Sequence, residues 1–207
     1  MDISCIVLAG GKSRRMGRNK VTVTIGGKSL LEKVIERLAC FKSEIIVVTA
    51  KERTLPVPIG YPRLKVVSDV YPGKGSLGGI YSGLVASATF HNLVVACDMP
   101  FLNLQFLKYL LDEAEGYDVV VPRYDGTFEP LHAVYSKGCL PHMEALLKKD
   151  DLVILDLFPM VRMKHIEKNE IDRFDPKHLS FFNVNTEADL RRAESELTRM
   201  GDKGDKC

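Results

Sequence analysis

Ile3-Ser4-Cys5-Ile6-Val7-Leu8-Ala9-Gly10-Gly11-Lys12-Ser13-Arg14-Arg15-Met16-Gly17-Arg18-Asn19-Lys20 is the stretch on which the fold turns. Ile3–Ala9 is a short, mostly apolar run ending in two glycines, the pattern of a strand buried on both faces. A basic loop follows at once. Five of the nine residues from Lys12 to Lys20 are Lys or Arg, and no Asp or Glu occurs between Ile3 and Leu31. Gly10 and Gly11 let backbone N–H groups approach a ligand closely, and fixed cations beside them suit a polyphosphate. The loop is neither G-x-x-x-x-G-K-[ST] nor G-x-G-x-x-G. The competing reading is a solvated basic patch for nucleic acid. Its place directly after a buried strand, and a net charge of only +2 from 29 basic and 27 acidic residues, speak against that.

Outward from this stretch, apolar β-branched runs alternate with segments of helical period. Ser29–Phe41 reads as a helix. Its Leu30, Leu31, Val34, Ile35 and Leu38 recur at three- and four-residue spacing, and Ser29 with Glu32 forms a capping box. Ile45–Thr49 and Leu64–Ser68 read as strands, Leu77–Ala88 as a helix, Leu93–Cys97 as a strand and Leu104–Ala114 as a helix. Val119–Val121 and Leu131–Tyr135 read as strands and Ser136–Lys148 as a helix. Thr186 is the expected N-cap of a last helix to Arg199, with Glu187 and Asp189 in its first turn. The expected class is α/β: a three-layer α/β/α sandwich around a mainly parallel twisted sheet, Rossmann-like. Residues 1–200 are expected to form one domain, with 201–207 a polar, frayed tail. Ligands of such sheets bind outside the carboxyl ends of the strands, where the motifs below all fall.

Composition narrows the classes. The chain has 207 residues, 45% hydrophobic and 27% charged, which suits a globular domain with one sizeable core. No apolar run approaches the roughly 18 residues of a membrane span, and no signal peptide is read at the N-terminus. Cys5, Cys40, Cys97, Cys139 and Cys207 are scattered and never in C-x-x-C spacing, which excludes a zinc ribbon and argues against a disulfide framework. A cytoplasmic location is expected, without membrane or nucleic acid as partner.

Four further motifs carry candidate chemistry. Asp69 ends a strand and precedes Gly73-Lys74-Gly75-Ser76-Leu77-Gly78-Gly79, whose glycines would leave backbone free to bond a base or phosphate; a plain turn before a helix is the alternative. Asp98, in Cys97-Asp98-Met99-Pro100, is a hard-oxygen ligand for magnesium beside a phosphate site, or the N-cap of the next helix. His132, in Glu129-Pro130-Leu131-His132, has no partner at ligand spacing and reads as structural. Asn183 and Asn185 precede the last helix and either bond a polar ligand or shape the turn. Nucleophile-elbow, zincin and activated-cysteine signatures are missing. Transfer to a phosphate acceptor needs none of them, since a phosphate monoester has a second pKa near ~6 and is already anionic.

Together the blocks LAGGKSRRMGRNK, SDVYPGKGSLGG, VVACDMPF, FEPLHAVY and FFNVNTEADL resemble the molybdenum cofactor guanylyltransferase family of Rossmann-like nucleotidyltransferases, from about Ile3 to Leu190. The resemblance implies transfer of GMP from GTP to molybdopterin or its molybdate-bound form, with magnesium, giving a guanine dinucleotide and pyrophosphate. It further implies hand-over to cofactor-insertion proteins and molybdoenzymes. By position it places Leu8, Ala9, Gly10, Gly11, Asp69 and Gly75 in the nucleotide site. Arg15 and Lys20 would lie on the triphosphate as catalytic cations, Asp98 on magnesium, and Asn183 and Asn185 on the acceptor. The chain departs from the family pattern at Gly75-Ser76-Leu77, at Glu129-Pro130 where the family often has Gln-Pro, and at Thr186-Glu187. Two alternatives remain open: a related CTP-dependent nucleotidyltransferase, and a non-catalytic molybdenum-cofactor carrier.

Overall fold

A computed structural model describes residues 2–10, 23–50 and 61–200. Strand β1 (Ile3–Leu8) is followed by a short hairpin, β2 (Thr24–Ile25) and β3 (Lys28–Ser29), then α1 (Leu30–Ala39), β4 (Glu44–Thr49), β5 (Leu64–Ser68) and α2 (Gly75–Ala86). Next come β6 (His91–Ala96), α3 (Leu104–Asp112), β7 (Val119–Tyr124), β8 (Thr127–Phe128), β9 (His132–Ser136) and α4 (Leu140–Lys148). The described chain closes with β10 (Met163–Glu167), α5 (Lys168–Ile171) and α6 (Glu187–Met200).

The main sheet runs β10-β7-β9-β6-β1-β4-β5, with β8 hairpinned onto β7. β1 pairs in parallel with β4 and β6, β4 with β5, and β7 with β10. β9 is antiparallel to both neighbours, β6 and β7. The sheet is therefore mainly parallel, as expected, with one reversed strand inserted.

The unbroken apolar runs follow from burial on both faces. Cys5, Val7, Ile45, Val47, Leu93 and Val95 pack under α1 and α3 against Leu31, Val34, Ile35, Phe106 and Leu110. The alternate residues Ile6, Leu8, Ile46, Val48 and Val94 pack under α2 and α4 against Leu77, Ile80, Leu84, Met143 and Leu147. Period-two alternation thus divides each strand between two cores. The α1 capping box is present: Ser29 Oγ accepts the Glu32 N–H at 3.1 Å and the Glu32 carboxylate accepts the Ser29 N–H at 2.6 Å.

Several boundaries differ from the sequence reading. α2 starts at Gly75, two positions before Leu77. Gly78, Gly79 and Gly83 are buried, so these glycines serve close packing rather than an exposed backbone. A Cβ on Gly83 would fall 2.4 Å from Ile6 Cγ2. The segment read as one helix from Ser136 begins as a 3-10 turn, Lys137–Cys139, capped by Ser136 Oγ on the Gly138 N–H at 3.0 Å. β10 was not foreseen. It is an edge strand whose fully buried side chain is Ile166, flanked by polar Lys164, His165 and Glu167.

Candidate active site

The carboxyl ends of the parallel strands gather the motifs on one edge of the sheet, linked by backbone hydrogen bonds. The Ala9 N–H donates to Val48 C=O at 2.9 Å, the Cys97 N–H to Leu8 C=O at 3.2 Å and the Asp69 N–H to Thr49 C=O at 2.8 Å. Ala96 N–H reaches Leu131 C=O at 3.1 Å, bringing in the start of the reversed strand β9. The Val184 N–H donates to Asp98 C=O at 3.0 Å, which sets the Asn183–Asn185 segment against Asp98. Leu8, Ala9, Gly10, Asp98, Asn183 and Asn185 therefore converge. Asp69 and Gly75 lie on the same edge but two strands from β1, beyond β4. Gly11, Arg15 and Lys20 lie outside the described residues.

Asp98 sits two residues past the β1–β6 register and is 8% exposed. It is not the cap of α3. That role belongs to Asn103, whose Oδ1 accepts the Phe106 N–H at 3.0 Å. The loop from Asp98 to Asn103 is pinned from three sides. The Arg37 guanidinium donates twice to Leu102 C=O, at 2.8 and 3.0 Å. Asn103 donates its N–H to Ser180 Oγ at 3.0 Å and its Nδ2 to Phe174 C=O at 2.8 Å. Sequence reasoning missed Arg37 as a positioning residue, because its partner lies 65 positions away and no local pattern marks it.

Asp69 shapes its own loop. Its Oδ1 accepts the Tyr71 N–H at 2.9 Å and lies 2.8 Å from the Ser82 hydroxyl on α2. Gly75 follows with φ +63°, a conformation that glycine adopts without strain.

Asn183 and Asn185 are held by local hydrogen bonds. Asn183 Nδ2 donates to Phe181 C=O at 3.0 Å, and the Asn185 N–H donates to Asp189 Oδ2 at 3.0 Å. Thr186 caps α6 as expected, its Oγ1 accepting the Asp189 N–H at 3.1 Å. Burial pushes the Asp189 pKa up, but hydrogen bonds from Asn185 and Thr186 outweigh it and hold the carboxyl below its usual value.

His132 lies beneath this edge, fully buried, with its ring stacked on Phe106 at 5.6 Å and edge-on to Phe181 at 5.1 Å. Neither ring nitrogen has a hydrogen-bond partner among the described residues, and burial drives its pKa down to about 3. It is a structural, neutral histidine, in line with the sequence reading. Cys97 is likewise buried.

A carboxylate at the tip of a central strand, between a glycine turn and an amide-bearing segment, suits group transfer between two ligands that meet at it. The family model described as "MobA-like NTP transferase domain" matches residues 5–158. The chain belongs to the MobA-like NTP transferases. This MobA-like chain is 37% identical over 198 residues to a probable molybdenum cofactor guanylyltransferase of Pelotomaculum thermopropionicum, covering 95% of each. It is 32% identical to the molybdenum cofactor guanylyltransferase of Desulfosudis oleivorans, covering 94% of this chain and 96% of that one. The solved structure of molybdopterin-guanine dinucleotide biosynthesis protein A from Archaeoglobus fulgidus superposes with a TM-score of 0.80 at 29% identity, over 95% of this chain and all of that one. The MobA-like chain is thus a nucleotidyltransferase. Among its described residues no helix is long and apolar enough to cross a membrane.

Proposed function

We propose that this MobA-like enzyme transfers GMP from GTP to molybdopterin or the molybdenum cofactor, giving molybdopterin guanine dinucleotide and pyrophosphate. The acceptor phosphate oxygen bonds to the α-phosphorus of GTP, the bond from that phosphorus to the β-phosphate bridging oxygen breaks, and pyrophosphate leaves. The observation that carries the reading is the meeting of the β1 turn and the Asn183–Asn185 segment at Asp98. In this reading Leu8, Ala9, Gly10, Gly11 and Gly75 line the guanosine and phosphates, and Asp69 holds the Gly75 loop. Arg15 and Lys20 neutralise the triphosphate, and Asn183 and Asn185 serve the acceptor. Neutral amides offer both donors and acceptors, which suits a pterin edge better than a phosphate chain.

The donor chemistry at Asp98 fits magnesium. It is a buried hard-oxygen ligand, and magnesium is held by one or two carboxylates with the remainder from substrate phosphates and water. Among the described residues no group of three or more His, Cys, Asp or Glu is assembled, so phosphate and water would complete the shell. Bound there, the ion would offset charge on the phosphates. The chain's own contribution is alignment by the pinned Asp98–Asn103 loop and electrostatic support from its cations.

A cytoplasmic setting and delivery of the product to insertion proteins or molybdoenzymes belong to the same proposal. To test it, the purified chain is incubated with GTP, magnesium and molybdopterin, and pyrophosphate release is followed. Release that requires all three supports transfer. Molybdopterin binding without any release would instead support a carrier.

A further inference from the structure

Glu129 is a charged group that the arrangement so far leaves unused. It is half-buried, and its carboxylate has no hydrogen-bond or ion-pair partner among the described residues. Burial alone pushes its pKa up. A carboxylate removed from water without a partner is costly, and such a cost is retained where a ligand later supplies the partner.

Its backbone is fixed on both sides. The Glu129 N–H donates to Pro122 C=O at 3.0 Å, and its C=O accepts the His132 N–H at 3.1 Å, closing a turn through Pro130. The Tyr135 hydroxyl holds Pro130 C=O at 2.9 Å. Pairing of Arg123 with Phe128 and Tyr124 with Thr127 sets the β7–β8 register. Phe128 packs on Phe158 in the α2–α4 layer, so alternation turns Glu129 to the other face with Tyr124. There Phe181 bridges Tyr124 and His132, with ring centroids at 5.8 and 5.1 Å, and the chain continues from Phe181 through Asn183 to Val184 against Asp98. Glu129 thus stands on the side of Asp98 occupied by β9 and β7, while the nucleotide residues lie at the ends of β1 and β5 on the other side.

We propose that the Glu129 carboxylate receives the amino-pyrimidinone edge of the acceptor's pterin ring. That edge presents a ring N–H and an exocyclic amine side by side, and a carboxylate accepts both in one bidentate contact. Guanine carries the same donor pair. The position of Glu129 across Asp98 from the nucleotide strands assigns the contact to the acceptor. This inference rests on the transferase reading above.

The test compares wild type with Glu129→Gln and Glu129→Leu. For each, KM is measured separately for molybdopterin and for GTP, and Tm is measured without ligand. Removing a partnerless half-buried charge leaves Tm unchanged or raises it. KM for molybdopterin rises several-fold in Glu129→Gln, which keeps one acceptor oxygen. It rises roughly 10- to 100-fold in Glu129→Leu, the range of a lost charge-assisted hydrogen bond. KM for GTP stays at the wild-type value. A fall in Tm with both KM values unchanged would assign Glu129 a structural role and overturn the inference. A rise confined to GTP would place the contact on guanine and overturn it equally. If wild type itself fails to turn over molybdopterin, the transferase reading fails instead, so the two failures are distinct.

Discussion

Acidification should weaken the fold through His132 before it touches most carboxylates, and His132→Leu should remove that weakness. In the folded chain the ring is fully buried and burial lowers its pKa from 6.5 to about 3. In the unfolded chain it titrates near its ordinary value. The unfolded state therefore binds more protons, so stability rises with pH: the contribution is complete above 6.5 and is lost as pH falls toward 3. Between about pH 7.5 and about pH 5.0 the cost of keeping the folded ring neutral grows by about 2 kcal/mol. For a domain of this size that corresponds to roughly 4–8 °C in Tm. Leu has a similar volume and no proton to bind. Even if repacking against Phe106 and Phe181 shifts the absolute Tm of His132→Leu, its pH slope over this interval should be shallower by that amount. Thermal unfolding of both proteins, in steps between the two pH values, measures the slope. Parallel curves would refute the reasoning and mean that the His132 ring finds a proton partner in the folded state.

Asp98→Asn should leave Tm close to wild type and reduce transfer at least about 100-fold, because the amide keeps size but loses the charge that draws the metal; steady-state pyrophosphate release with the folded variant checks this. Lys20→Ala should raise KM for GTP and lower kcat together, since a triphosphate cation acts in ground and transition states alike; unchanged kinetics would remove Lys20 from the site. Gly83→Ala should destabilise by about 1–3 kcal/mol despite better helix propensity, because the new methyl would meet Ile6 Cγ2 at 2.4 Å, and denaturant titration will show it.

The sequence made the architecture legible where local physics and tertiary demand agree. The run from Ile3 to Ala9 could only be a doubly buried strand, and the Ser29–Glu32 pair marks the start of α1 as it stands in the structure. β10 was illegible because an edge strand needs few apolar residues, and Lys164 and His165 break the pattern that reveals central strands. The glycines from Gly73 to Gly79 admit two readings in sequence, ligand contact or a plain turn before a helix, and only the fold shows that Gly78 and Gly79 are buried within α2, where a Cβ on Gly79 would meet Leu8 of β1. In the site, Asp98 and the Asn183–Asn185 block could be named from motifs. Their convergence depends on the Val184 bond to Asp98, and the rigidity of the Asp98 loop depends on Arg37, whose contact joins residues 65 apart. Neither leaves a periodic trace. Glu129 could be quoted as a motif residue, but its unpartnered burial is a property of the fold.

Product identity tests the function most directly. The protein is incubated with magnesium, molybdopterin and an equimolar mixture of GTP, CTP, ATP and UTP, and the dinucleotides formed are resolved by mass spectrometry. A molybdopterin dinucleotide carrying guanine, dominant over the other three bases and absent with Asp98→Asn, is the expected result. A dominant cytosine dinucleotide, or molybdopterin recovered unchanged beside intact nucleotides, would contradict it.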